Sequence, residues 1–205
     1  MLKIGFIDDE KDMIEDYRAR LKRRDIDLIF ADNCETKEDI VEWILGNNLK
    51  CVLVDYKLTQ VYNFMGTDLV AYLNAALPDL SCIILTNFPE EGINDNLVLE
   101  RLIIDRNLLD QTSLDGFVNI VKQAIQVFDK RLAIRYEEFV KLKQKKENDG
   151  ITASEEERFF ILYKILRVYA EVDDIPTDLL KSSTNTKIDQ LIQKLDSFIG
   201  KTEEI

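Results

Sequence analysis

The sequence predicts an α/β protein: a doubly wound, five-stranded parallel sheet followed by an all-helical C-terminal extension. Three observations predict it. Short apolar runs alternate with stretches of helical apolar spacing over about the first 120 residues, the pattern of βα units feeding a parallel sheet. The central runs, such as Cys51–Val54, are apolar throughout, as strands covered on both faces must be. From Ser113 onward the alternation stops, and no proline or glycine interrupts Phe117 to Asn148. An α+β arrangement with antiparallel pairs is the rival, and the continuous central runs disfavour it.

Leu2–Ile7 is the first strand, broken by Asp8-Asp9-Glu10. From Lys11 to Arg24, Met13, Ile14, Tyr17 and Leu21 fall at helical spacing. Ile26–Phe30 is the second strand. Thr36 begins a helix carrying Ile40, Val41, Trp43, Ile44 and Leu45, which Gly46 closes as a C′ residue. Cys51–Val54 is the third strand and delivers Asp55. A loop runs to Met65-Gly66, and a helix with Leu69, Val70, Tyr72, Leu73 and Leu77 stops at Pro78. Ser81–Leu85 is the fourth strand, ending in Thr86-Asn87. A short acidic helix near Pro89–Asn96 leads to the fifth strand, Leu102–Asp105.

Phe117, Val121, Ala124, Phe128, Leu132, Tyr136, Phe139 and Leu142 then step by three or four residues. They predict one helix of about 34 residues, roughly 50 Å long. One domain cannot bury so long a stripe, so the domains are set at 1–128 and 129–205. Asn148-Asp149-Gly150 ends that helix, and Thr152 or Ser154 caps the next, with Glu155 or Glu157 completing a capping box. Phe159, Phe160, Leu162, Tyr163, Leu166 and Tyr169 are its apolar residues. Pro176 opens a last stretch with Ile188, Leu191, Ile192, Leu195, Phe198 and Ile199 on one side, so the tail reads as a helical hairpin packed on the long helix. Trp43 and the tail aromatics read as core.

The chain has 205 residues, no histidine and a formal net charge of −12. Residues 1–128 hold 13 Lys+Arg against 23 Asp+Glu, and 129–205 hold 14 against 16. The missing histidine excludes His acid–base chemistry, His–metal sites and a phosphohistidine carrier. The acidic balance disfavours nucleic acid, whose binding needs cations at phosphates. Cys34, Cys51 and Cys82 have no metal spacing and read as buried thiols of a reducing compartment. No apolar run approaches the roughly 20 residues that span a bilayer. The N-terminal stretch turns acidic too soon for a signal peptide, so a cytoplasmic protein is expected.

Three strands end in polar residues at one sheet edge, where open parallel sheets gather ligands. Asp8, Asp9, Asp55 and Thr86 meet there. Carboxylates about 4 Å apart repel by roughly 4 kcal/mol per pair at an effective dielectric near 20. Either one stays protonated or a cation sits among them. An all-oxygen set suits Mg²⁺. The plain alternative is that each acid ends its strand in water.

With Asp8-Asp9 after the first strand, Asp55 after the third, Leu58 close behind it, Gly66 before a helix and Thr86 after the fourth, residues 1–128 resemble the receiver domain of bacterial two-component response regulators. The resemblance implies the flavodoxin-like receiver fold. It implies a phosphoacceptor at Asp55, which takes the phosphoryl group of a sensor histidine kinase or phosphotransfer protein as an acyl phosphate. It implies Mg²⁺ held by Asp9 and Asp55, by Asp8 mainly through water, and by the Lys57 carbonyl. It makes Thr86 the switch hydroxyl.

The departures are specific. No lysine occurs between Lys57 and Lys122, so the family's fifth-strand lysine is missing, and Pro89 to Gly116 contains no Phe, Tyr or Trp to serve as its switch aromatic. Arg106 and Lys57 are the candidate substitute cations, and Asp105 is a candidate partner for Arg106. The loop after Asp55 is longer than the family's by about three residues and lacks its usual proline. The expected function is therefore signalling without enzyme activity. Phosphate is accepted on Asp55, and output runs through a protein partner of the helical tail, with a homodimer as a further expectation. A DNA-binding regulator is the first alternative, although Asn185–Leu195, the would-be recognition helix, has no arginine. A pseudo-receiver that takes no phosphate is the second.

Overall fold

In a computed structural model of the chain, the described residues are 1–10, 14–109, 114–176, 180, 191 and 192. Five strands, β1 (Leu2–Ile7), β2 (Ile26–Phe30), β3 (Cys51–Asp55), β4 (Ser81–Thr86) and β5 (Ile103–Asp105), form one sheet. Its order is β2-β1-β3-β4-β5 and every pairing is parallel. The order reverses between β1 and β3, which opens a crevice at the carboxyl ends of those strands. Every residue of β3 is buried, as expected of a strand covered on both faces.

The helices are α1 (Ile14–Lys22), α2 (Lys37–Gly46), α3 (Gly66–Ala76), α4 (Pro89–Asn94), α5 (Leu114–Asn148) and α6 (Ala153–Val168). The Lys11–Met13 start expected for the first helix lies outside the described residues. Thr36 caps α2 in a capping box: its hydroxyl accepts from Asp39 N at 3.1 Å, and the Asp39 carboxylate accepts from Thr36 N at 2.8 Å. Gly46 does not close this helix as a C′ residue. It sits in the last turn, and the left-handed residue is Asn48 at φ 53. The Asn47 amide caps Trp43 O at 2.8 Å. After glycine, asparagine is among the residues that enter the left-handed region most readily. Trp43 lies against β1: a Cβ on Gly5 would come within 2.7 Å of its ring. The fifth strand is shorter than expected, because Leu102 belongs to a 3-10 turn, Glu100–Leu102, and a second turn, Arg106–Leu109, follows.

The chain divides into two compact units, Met1–Ile134 and Arg135–Ile205, with the division falling inside α5. In the first, Phe117, Val121 and Ile125 of α5 join a core of Ile4, Phe6, Leu28, Leu53, Ile83 and Leu85. In the second, the remainder of α5 packs on α6. Phe139 stacks on Phe159 at 4.8 Å between ring centroids, and Leu162, Tyr163 and Leu166 are buried. Gly150, at φ 77, turns the chain between the helices. Thr152 caps α6, with Glu155 closing the box onto Thr152 N at 2.9 Å. The Tyr163 hydroxyl accepts from Ile175 N at 2.6 Å and ties down the segment after α6. Of the apolar positions expected in the last stretch, Leu191 and Ile192 are helical and exposed. Ile188, Leu195, Phe198 and Ile199 lie outside the described residues. Among the described residues, no helix is long and apolar enough to cross a membrane.

Candidate functional site

The parallel register sets four chemical groups along one edge. Asp55 ends β3 opposite Leu85, and Thr86 ends β4 opposite Asp105. Asp8 follows β1 and Arg106 follows β5. Asp8, Asp55, Thr86 and Arg106 are all buried. Carboxylate oxygens of Asp8, Asp9 and Asp55 lie within 4.8 Å of one another.

Arg106 is the cation among them. Its Nη2 donates to Asp8 Oδ2 at 2.7 Å and to Asp55 Oδ1 at 2.5 Å. Backbone amides complete both acids: Glu10 N donates to Asp8 Oδ1 and Lys57 N to Asp55 Oδ2, each at 2.9 Å. The guanidinium carbon stands 5.9 Å from the Phe6 ring centroid. The buried Nε finds no acceptor among the described residues. Asp105 is not Arg106's partner; its carboxylate accepts from Asn107 N at 2.9 Å and holds the turn. An Asx-type bond to the residue two along is the local choice of an aspartate at a strand end. Of the two candidate cations, Arg106 reaches Asp55. The Lys57 ammonium pairs with Glu91 at 2.9 Å and lies 4.3 Å from the Phe88 ring centroid.

Burial dominates the electrostatics. It pushes Asp55 up to about 6, helped by the negative charges of Asp8 and Asp9 and opposed by Arg106. It raises Asp8 as well, again against the pull of Arg106. Burial works to lower the Arg106 pKa, but Asp8 and Asp55 outweigh it, so the guanidinium stays charged.

The loop after Asp55 folds back over the acids. Gln60 N donates to Asp9 Oδ2 at 2.9 Å, and the Gln60 amide reaches Glu10 at 3.3 Å. Leu58 is fully buried, and Gly66 N donates to Tyr56 O at 2.8 Å. A Cβ on Gly66 would stand 2.0 Å from the Asp55 carbonyl oxygen. Only glycine lets α3 start this close to β3. The Thr86 hydroxyl accepts from Phe88 N at 3.0 Å. Gln60 was not among the sequence candidates, since it acts on Asp9 through its backbone N–H, which leaves no trace in residue type. Asp95 was not either. It accepts from the Thr67 hydroxyl at 2.8 Å and, after burial, is the main influence raising Tyr56, so it joins the start of α3 to the residue after Asp55.

The donor set fits a hard divalent cation. Three carboxylates against one guanidinium leave two negative charges uncompensated when all are ionised, and every side-chain donor is oxygen.

No protein-family model matches the chain, and no curated protein matches it. Solved structures do. NtrX from Brucella abortus aligns over 73% of this chain and 34% of its own, at 16% identity and a TM-score of 0.51. A response regulator receiver domain protein from Clostridium thermocellum aligns over 65% and 99%, at 18% identity and a TM-score of 0.48. The signal receiver domain of an HD domain-containing protein from Pseudomonas fluorescens Pf-5 aligns over 63% and 90%, at 15% identity and 0.49. The chain spans about a third of the length of NtrX. NtrX shares the fold of this chain, whose five parallel strands in the order β2-β1-β3-β4-β5 form the flavodoxin-like sheet.

Proposed function

We propose that this chain is a response-regulator signalling protein in which Asp55 accepts a phosphoryl group from the phosphohistidine of a partner kinase or phosphotransfer protein. One observation carries the reading: a buried carboxylate ends the central strand, beside two further acids and a single buried arginine. In the transfer, an Asp55 carboxylate oxygen attacks phosphorus. The P–O bond forms as the P–N bond breaks, and the imidazole leaves and takes up a proton. Arg106 already touches Asp55, which supports a role in neutralising the incoming oxygens. Asp8, Asp9, Asp55 and the Lys57 carbonyl would hold Mg²⁺, which when bound supplies further neutralisation of the transferred group.

The switch runs through Thr86. Its hydroxyl is engaged with Phe88 N, so turning it toward a phosphoryl oxygen breaks that bond. Phe88 faces Lys57, and Lys57 pairs with Glu91 of α4. The surface that responds is therefore the turn after β4 and α4. Output then passes to a protein partner through the helical second unit, in a cytoplasmic and non-enzymatic role.

A second reading has a specific observation behind it. Arg106 already satisfies Asp8 and Asp55, as in an interaction module that takes no phosphate. Intact mass after treatment with a small phosphodonor and Mg²⁺ separates the two. Wild type gains one phosphoryl group and Asp55→Asn gains none; an unmodified wild type establishes the second reading.

A further inference from the structure

Arg106 and a divalent cation have a claim on the same carboxylates. One Nη2 spans Asp8 Oδ2 and Asp55 Oδ1, two of the three acids that a cation would need. We propose that Arg106 is an internal competitor of the divalent cation: it holds Asp8 and Asp55 while the cluster is bare, and it must release at least one of them before the cation enters. The inference rests on the phosphoacceptor reading of that cluster and adds a control to it.

The geometry of the guanidinium supports an exchange rather than a fixed strut. Arg106 is nine-tenths buried, yet its Nε has no acceptor among the described residues. Nε and Nη2 lie on one edge of the guanidinium and together form a fork suited to two oxygens of one anion. In the position seen, the fork is used only at Nη2. An unmet buried donor is costly, so the docked position is held by charge. Once the cation neutralises the acids, that hold weakens, and the free edge is ready for the oxygens of a phosphoryl group. Arg106 also opens the turn Arg106–Leu109, and the Leu109 carbonyl accepts from Arg20 of α1 at 2.9 Å. Release of Arg106 therefore disturbs the turn, as well as the acids.

Two ligands that exclude each other weaken each other by the same factor, and couplings between sites are typically about 5- to 150-fold. Calorimetric titration of the full chain with Mg²⁺ alone reads that factor. R106Q should bind Mg²⁺ at least about tenfold more tightly than wild type. Equal or weaker binding by R106Q overturns the competition. Because R106Q strips two buried acids of their cation, a second measurement uses the wild type. The Arg106 Nε–H resonance should shift and lose protection from solvent with the same Mg²⁺ midpoint. A resonance unchanged at saturation overturns the proposal. Failure of the acceptor reading looks different. A chain with tighter R106Q binding but no phosphate uptake supports the competition and rejects the acceptor. A chain that takes phosphate but shows equal Mg²⁺ affinities does the reverse.

Discussion

Asp55 in the first unit and Glu155 in the second are both ion-paired carboxylates, yet their pKa values move in opposite directions. Burial drives Asp55 up to about 6 in spite of Arg106. Hydrogen bonds from Lys145 and Thr152 hold Glu155 down to about 2 at the surface. The partners are of similar kind, so the solvent makes the difference. A buried pair gives up the hydration of both ions and recovers little net stability, while a surface acid keeps its hydration and adds a cap. The first unit thus spends folding energy to keep charge in a dry place, and the second uses charge only to trim an apolar seam.

The largest expected effect comes from breaking the buried pair. Arg106→Gln in metal-free protein should lose about 4 kcal/mol in denaturant unfolding, because Asp8 and Asp55 are left uncompensated. A loss under about 1 kcal/mol would mean that the site is as wet as the surface of the second unit. In that second unit the seam, rather than the charges, should dominate. Phe159→Ala removes the ring stacked on Phe139 and should cost about 3 kcal/mol, read from the unfolding of the helical signal.

The two acids should answer pH with opposite signs. Asp55 has a folded pKa above its usual 3.8, so its contribution to stability is complete below about 3.8 and is lost as pH rises through about 6. Asp55→Asn should therefore be more stable than wild type at pH 7 without metal, and that advantage should vanish toward pH 4. Glu155 has a folded pKa below its usual 4.5. Its contribution is complete above about 4.5 and is lost as pH falls toward about 2. Glu155→Gln should be less stable than wild type at neutral pH, with the gap closing in acid. Melting temperatures across pH 3–8 for both variants check the signs, and equal signs would end the contrast.

The smallest effects belong to the second unit's polar surface. Thr152→Ala should cost about 1 kcal/mol by removing the cap of α6. Arg158→Ala should cost less than about 1 kcal/mol, although its two bonds to Glu138 measure 2.7 and 2.6 Å, because the pair is solvated. Denaturation midpoints of both variants give the comparison.

Much of the fold was legible because hydrophobic period and strand-ending acids are written in residue types. The same holds for the helix start at Thr36 and for the capping box of α6, where Thr152 and Glu155 stand three residues apart. The gathering of Asp8, Asp9, Asp55 and Thr86 at one edge follows from strand order alone. What the sequence left open depends on backbone and reach. Lys57 and Arg106 were equal candidates until the Glu91 partner of Lys57 and the turn after β5 were known. Asp105 read as a neighbour for Arg106, but its local bond to Asn107 N wins. Gly46 read as the helix stop, and Asn48 takes the left-handed position instead. Gln60 meets Asp9 through a backbone N–H that any residue could offer.

Trapping the acyl phosphate is the sharpest test of the acceptor assignment. The protein is treated with a small phosphodonor and Mg²⁺, the acyl phosphate is reduced chemically, and peptides are sequenced by mass spectrometry. A single modified carboxylate at Asp55, absent from Asp55→Asn, is the predicted result. Modification at Asp8 or Asp9, or none anywhere under conditions that label receiver domains of response regulators, would contradict it.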